Sequence, residues 1–219
     1  MLTIESLLVF IPTMVLLVIL PGPDFAIVTK ISLFDGKRPA QAAAVGITLG
    51  MCIHTTLAML GLSAIVASSA VLFSAIKYVG VLYLFYVGIT ELKKSLNAKK
   101  IPSQQETEEI PLQAGNNPKI TRYFYAGFLT NVLNPKAILY FMVLYPQFIN
   151  PKEPLPTQFL EMGSIGALTS LIWFILVASI FTKMRAFLTS STCQRWLLRF
   201  TGLIFITFGL KLAAQQIDS

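Results

Sequence analysis

Three ionisable side chains sit where the chain is otherwise apolar: Asp24 in "VILPGPDFAIV", Lys136 in "NVLNPKAILYF" and His54 in "GITLGMCIH". Asp24 follows Pro21, Gly22 and Pro23, and Lys136 follows Asn134 and Pro135. Proline has no N–H to offer the carbonyl four residues earlier, so Pro21 and Pro23 release the carbonyls of Leu17 and Ile19, and Pro135 releases that of Asn131. In hydrocarbon, released carbonyls must face protein, water or a ligand. Asn134-Pro135 also reads as an N-cap followed by the first residue of a new helix. Such a helix start presents bare N–H groups and a positive dipole end to an anion. The chemistry on offer is recognition of a zwitterion, with Asp24 near an ammonium and Lys136 near a carboxylate. An Asp24–Lys136 ion pair that locks two segments together, beside simple proline kinks, is the other reading of the same residues.

His54 follows Gly50 by four residues and Gly46 by eight, so all three share one helical face. Small residues there let a neighbouring helix come close. His54 is therefore either a packing residue with a satisfied ring or a group that takes up a proton near neutral pH. Other chemistries are missing. No Gly-rich Lys-Ser/Thr loop is present for ATP, and no H-E-x-x-H or Cys/His cluster for a metal. "MGSIG" around Ser164 fails the G-x-S-x-G pattern of a nucleophile elbow. No catalytic residue, metal site or cofactor is expected. Cys52 and Cys193 are expected as free thiols.

The elements that hold these residues follow from hydropathy. Of 219 residues, 55% are hydrophobic and only 12% charged, against about a quarter charged in a soluble domain. Apolar runs near residues 4–33, 40–66, 70–91, 122–149, 157–181 and 198–216 approach the roughly 20 residues needed to cross a bilayer. The expectation is an all-α integral membrane protein with six transmembrane helices. Residues 1–6 hold Glu5 and no Lys or Arg, unlike a signal peptide, so the first span is expected to stay. The connection 95–121 is polar, proline-punctuated and charged, and reads as a mobile linker. The connection 183–199 mixes arginines with Phe187, Trp196 and Leu197, which suits an amphipathic helix at the membrane surface.

A net charge of +7 does not require a nucleic acid, because cytoplasmic loops are ordinarily basic. Twelve Lys and Arg fall in the first, third and fifth connections: Lys37, Arg38, Lys93, Lys94, Lys99, Lys100, Lys119, Arg122, Lys183, Arg185, Arg195 and Arg199. Only Lys77, Lys152 and Lys211 lie on the other side. The odd connections are thus expected in the cytoplasm and both termini outside.

The halves of the chain resemble each other. "VILPGPDF" sets Pro23 and Asp24 against Pro135 and Lys136 of "VLNPKAI", and "YVGVLYLFYVGITEL" matches the glycine spacing of "FTGLIFITFGLKL". Three spans is an odd number, so the second half must enter the membrane from the opposite side. This implies an inverted repeat of three plus three helices, with residues 1–94 and 122–219 as the halves and broken helices 1 and 4. Interrupted helices at matching positions mark a midplane binding site in such folds.

"PGPDF", "GITLGMCIH", "GVLYLFYVG" and "GFLTNVLNPKAILYF" together resemble the lysine-exporter superfamily, in particular its homoserine/threonine exporter branch, over nearly the whole chain. The resemblance implies a multi-pass exporter of amino acids in the bacterial inner membrane, driven by an ion gradient, with no enzymatic step. Its cargo would be a small neutral or threonine-like amino acid, with branched and basic ones also within the family's range, and protons the coupling partner. The family's motifs fall here on Pro21, Gly22, Pro23 and Asp24, and on Asn131, Asn134, Pro135 and Lys136. Family members often carry asparagine where this chain has Asp24, which leaves open whether Asp24 holds a proton or the substrate. Self-association as a homodimer stays open. A transmembrane thiol relay of similar repeat architecture would need cysteines beside the prolines, where this chain has Gly22, Asp24, Asn134 and Lys136. An exporter of another solute, such as a lactone or a metal cation, is the remaining alternative; a cation would ask for more deep carboxylates than Asp24.

Overall fold

The computed structural model describes residues 2–20, 22–97, 119–188 and 190–217. Among the described residues the chain is all helix with no strand, and eight helices follow one another. They are α1 (Ile4–Ile19), α2 (Pro23–Phe34), α3 (Lys37–Ser68), α4 (Ala70–Asn97), α5 (Ile120–Val132), α6 (Pro135–Phe148), α7 (Leu155–Leu188) and α8 (Ser191–Ile217). Pro21, and most of the linker expected at 95–121, lie outside the described residues.

Local chemistry sets the boundaries. Thr3 caps α1 by accepting the Ser6 N–H (3.2 Å). Leu20 then takes ψ 127°, the extended backbone that a following proline demands. Pro23 opens α2 as its first residue, with Gly22 ahead of it as a cap that offers no side chain. At the far end of α2 the N–H groups of Asp35 and Gly36 both donate to Ile31 O (2.9 and 3.0 Å). Gly36 has φ 94°, a left-handed conformation that glycine adopts without penalty, and α3 starts at the next residue. Ser69 alone separates α3 from α4, its hydroxyl accepting the Leu72 N–H (3.1 Å).

Among the described residues, helices α3, α4 and α7 are each long and apolar enough to cross a bilayer, and α1 and α2, inclined by 51°, are long and apolar enough only when taken together. Their outward faces carry Leu57, Leu60, Leu82, Leu168 and Ile172, all exposed. A helical bundle in water would cover such a belt; lipid accepts it. The core lies inside, around Phe10, Ile31, Ile47, Tyr145, Phe159 and Met162.

Contacts fix the helix directions. Ala43 meets Gly127 and Gly50 meets Asn131, so α3 and α5 run parallel. Gln41 bonds Ser179 (3.2 Å) while Thr55 meets Gly163, so α3 and α7 are antiparallel. Gly209 lies on Phe85 and Gly202 on Leu92, which makes α4 and α8 antiparallel too. Leu2 N–H donates to Glu161 (2.8 Å) and Met14 meets Gly166, so α1 runs with α7.

One expectation needs correction. Residues 183–199 do not form a separate surface helix: α7 continues to Leu188 and α8 begins at Ser191. The mixture of arginine and aromatic residues falls at the end of one long helix and the start of the next.

Candidate functional site

The break between α1 and α2 and the break between α5 and α6 meet at one point. Asp24 is the second residue of α2, where a carboxylate is favoured by the helix dipole. Asn131 stands in the last turn of α5, 2% exposed, and its Nδ2 donates to Asp24 Oδ2 at 2.8 Å. The Asn131 carbonyl, released by Pro135, is re-satisfied twice. It accepts the Asn134 N–H (3.0 Å) and His54 Nε2 (3.0 Å). A carbonyl can only accept, so Nε2 carries the hydrogen. Asn134 in turn receives the Ile138 N–H at its carbonyl (3.1 Å) and stands as the residue ahead of Pro135 at the start of α6.

His54 is buried, with its ring 5.4 Å from that of Phe141. It braces the α5–α6 break from α3. Its Nε2 is satisfied by the Asn131 carbonyl.

The brace requires α3 and α5 to touch along their backbones. A Cβ on Gly46 would overlap the Phe124 carbonyl, and one on Gly127 would overlap the Ala43 carbonyl. A Cβ on Gly50 would stand 2.6 Å from Asn131 Oδ1 and 3.0 Å from Asn131 Cβ. That Oδ1 is buried and finds no hydrogen-bond partner among the described residues.

Beside these groups opens a cavity of about 70 Å³, lined at its polar end by Gly22, Pro23, Asp24, Asn131 and Asn134. Toward the end of the bundle that holds the start of α1, the wall closes in an aromatic cluster. Phe10 packs on Tyr145 and Phe148 (6.0 and 4.9 Å between ring centres), and Tyr145 on Phe159 (5.8 Å). The Tyr145 hydroxyl bonds Thr55 Oγ1 (3.2 Å). At the opposite end, the Tyr123 hydroxyl donates to Asp35 (2.8 Å) and ties α5 to α2.

Of the residues singled out from sequence, Gly22, Pro23, Asp24, Asn131 and Asn134 line one cavity, and His54 supports it from behind. Pro135 and Lys136 are the first two residues of α6, matching Pro23 and Asp24 of α2. The Lys136 side chain and Pro21 lie outside the described residues. Sequence reasoning missed the apolar walls, among them Met14, Met51, Phe141 and Phe174; nothing in an apolar run tells a wall residue from a lipid-facing one. Cys52, on α3, and Cys193, early in α8, are free thiols.

Among the described residues the protein is all helix, with an exposed apolar belt and two interhelix breaks beside an internal cavity, the features of an integral membrane protein. The chain belongs to the LysE type translocators, whose family model matches residues 15–216. It is a transporter and not an enzyme. It is 34% identical over 211 residues to the membrane protein YrhP of Bacillus subtilis (strain 168), covering 94% of this chain and 98% of that one. It is 30% identical over 196 residues to the threonine efflux protein of Escherichia coli (strain K12), covering 90% and 91%. It is 26% identical over 214 residues to the homoserine/homoserine lactone efflux protein of Salmonella typhi, covering 98% of each. No solved structure gives a significant match.

Proposed function

We infer that this chain is a secondary active exporter of amino acids across the bacterial inner membrane, coupled to a proton gradient. The observation that carries the reading is the bond from Asn131 Nδ2 to Asp24 Oδ2 (2.8 Å), which joins two helix breaks beside a cavity. The relatives named for threonine and homoserine efflux support amino acids as the cargo.

In this reading α1–α2 and α5–α6 are broken transmembrane spans, making six with α3, α4, α7 and α8. Residues 1–94 and 122–219 form inverted halves joined by the cytoplasmic linker 95–121. Three relations support the inversion. Helices α3 and α7 would be repeat mates and run antiparallel, as do α4 and α8; the parallel pair α3–α5 has its counterpart in α7–α1. Inverted-repeat transporters bind their cargo where such breaks meet.

Asp24 then receives the substrate's ammonium. Lys136 and the N–H groups at the start of α6 receive its carboxylate, with the α6 dipole adding to the attraction. Gly22, Pro21, Pro23 and Pro135 keep the breaks open, and Asn131, Asn134 and His54 hold their geometry. Asp24, the carboxylate beside the cavity, is also the group that exchanges the coupling proton.

The test is efflux from proteoliposomes preloaded with a panel of amino acids, with and without an imposed proton gradient. At least one amino acid should leave faster than from protein-free vesicles, and the gradient should accelerate it. Efflux of no amino acid would refute the function, and indifference to the gradient would refute the coupling.

A further inference from the structure

The cavity has two chemically different parts. Among the described residues lining it, charged and amide side chains come from Asp24, Asn131 and Asn134 alone, all at the helix breaks. The rest of the wall is built by α1, α2, α3, α6 and α7, with Met14, Met51, Phe141 and Phe174 facing the space beside Phe25, Tyr140 and Tyr145. Tyr145 comes ten residues after Pro135, so residues on about three successive turns of α6 contribute to the wall. A threonine side chain ends two bonds from its Cα and would leave most of that wall uncovered. Its hydroxyl would also meet thioether and aromatic surface, and the Tyr145 hydroxyl is already turned to Thr55 (3.2 Å).

The geometry points to a side-chain subsite for large apolar amino acids, formed by Met14, Met51, Phe141, Tyr145 and Phe174. This chain therefore prefers leucine- or phenylalanine-like cargo to threonine or homoserine. The inference rests on the amino-acid export reading above and narrows its substrate. Two physical terms set the preference. Burying a hydroxyl without a partner is unfavourable, and each additional apolar carbon seated against the wall is favourable. Methionine side chains can also adjust to cargo of different shapes, because the unbranched thioether is flexible. The subsite should thus accept several large apolar residues instead of a single one.

Valine and threonine are nearly the same shape and differ by a methyl in place of a hydroxyl, so they isolate the first term. An apolar pocket discriminates such pairs by up to about 100-fold. The experiment uses the purified full chain in proteoliposomes preloaded with radiolabelled threonine, valine, leucine or phenylalanine. Valine should leave with at least tenfold higher kcat/KM than threonine, and leucine and phenylalanine should match or exceed valine. Phe174→Ser and Met51→Gln, on separate helices, should each lower the valine-to-threonine ratio at least threefold. Threonine exported as well as valine and leucine would overturn the subsite while leaving amino-acid export standing. An unchanged ratio in both variants, each still transporting, would overturn it as well. Failure to export any amino acid would remove both readings together.

Discussion

Replacing Gly50 by alanine tests whether backbone contact between α3 and α5 holds the site. The added Cβ would stand 2.6 Å from Asn131 Oδ1, 3.0 Å from Asn131 Cβ and 3.1 Å from Asn131 Cγ. Turning the amide relieves the first contact but carries Nδ2 away from Asp24; if the amide keeps its place, the helices themselves must separate. Reaching the 3.4 Å of ordinary contact requires a displacement of about 0.8 Å from Oδ1. Either adjustment strains the 2.8 Å Asn131–Asp24 bond, and a shift of that size along the bond would take it beyond hydrogen-bond range. Overpacking of this kind costs about 1–3 kcal/mol, offset by up to about 1 kcal/mol from the better helix propensity of alanine. The hydrogen bond to a charged group adds about 1.5–3 kcal/mol if lost. Gly61→Ala is the control, since a Cβ there meets nothing within 4 Å. Thermal unfolding in detergent and efflux from proteoliposomes give the two readouts. Gly50→Ala should lower the unfolding temperature and reduce efflux at least tenfold, and Gly61→Ala should do neither. Wild-type efflux by Gly50→Ala, or equal damage from both substitutions, would refute the reasoning.

Further outcomes follow from the same geometry. His54→Ala leaves the buried Asn131 carbonyl short of a donor and should destabilise the folded protein by about 1–3 kcal/mol, measured by thermal unfolding; His54→Gln, which can still donate, should recover part of the loss. Lys136→Ala should weaken binding of free amino acids more than of their methyl esters, read by competition in counterflow, because the ester lacks only the carboxylate charge; equal losses would make Lys136 structural. In a cysteine-free background, cysteines placed at Gln105 and Ser219 should react with an impermeant reagent from opposite faces of the membrane, and labelling of both from one face would contradict the topology.

The helix breaks were legible because proline acts through a single missing N–H, a property of the residue and not of its surroundings. Both α2 and α6 begin on the prolines that the repeat had paired, Pro23 and Pro135. The bonds that make the site were not legible. Asn131 reaches Asp24 across 107 residues and His54 reaches Asn131 across 77, and no local pattern encodes such a meeting. The spacing of Gly46 and Gly50 announced a close approach without naming the helix that comes. That helix is α5, and Gly127 supplies its side of the contact. Hydropathy failed at 183–199, since basic and aromatic residues cluster equally at a surface helix and at the ends of spanning ones. The cavity walls escaped notice for a related reason: Met51 faces the cavity and Ile53 is exposed, yet both are apolar residues of α3.

Asp24 stands at the centre, and gradient-driven efflux by Asp24→Asn tests its role most directly. An asparagine keeps the shape and retains an oxygen that accepts from Asn131 Nδ2, so the break stays braced while the charge is gone. The substitution should leave the protein folded in the membrane, with an unfolding temperature close to wild type, and should cut efflux from preloaded proteoliposomes at least tenfold. Efflux at the wild-type rate by the folded Asp24→Asn protein would contradict a carboxylate that binds the substrate's ammonium or the coupling proton.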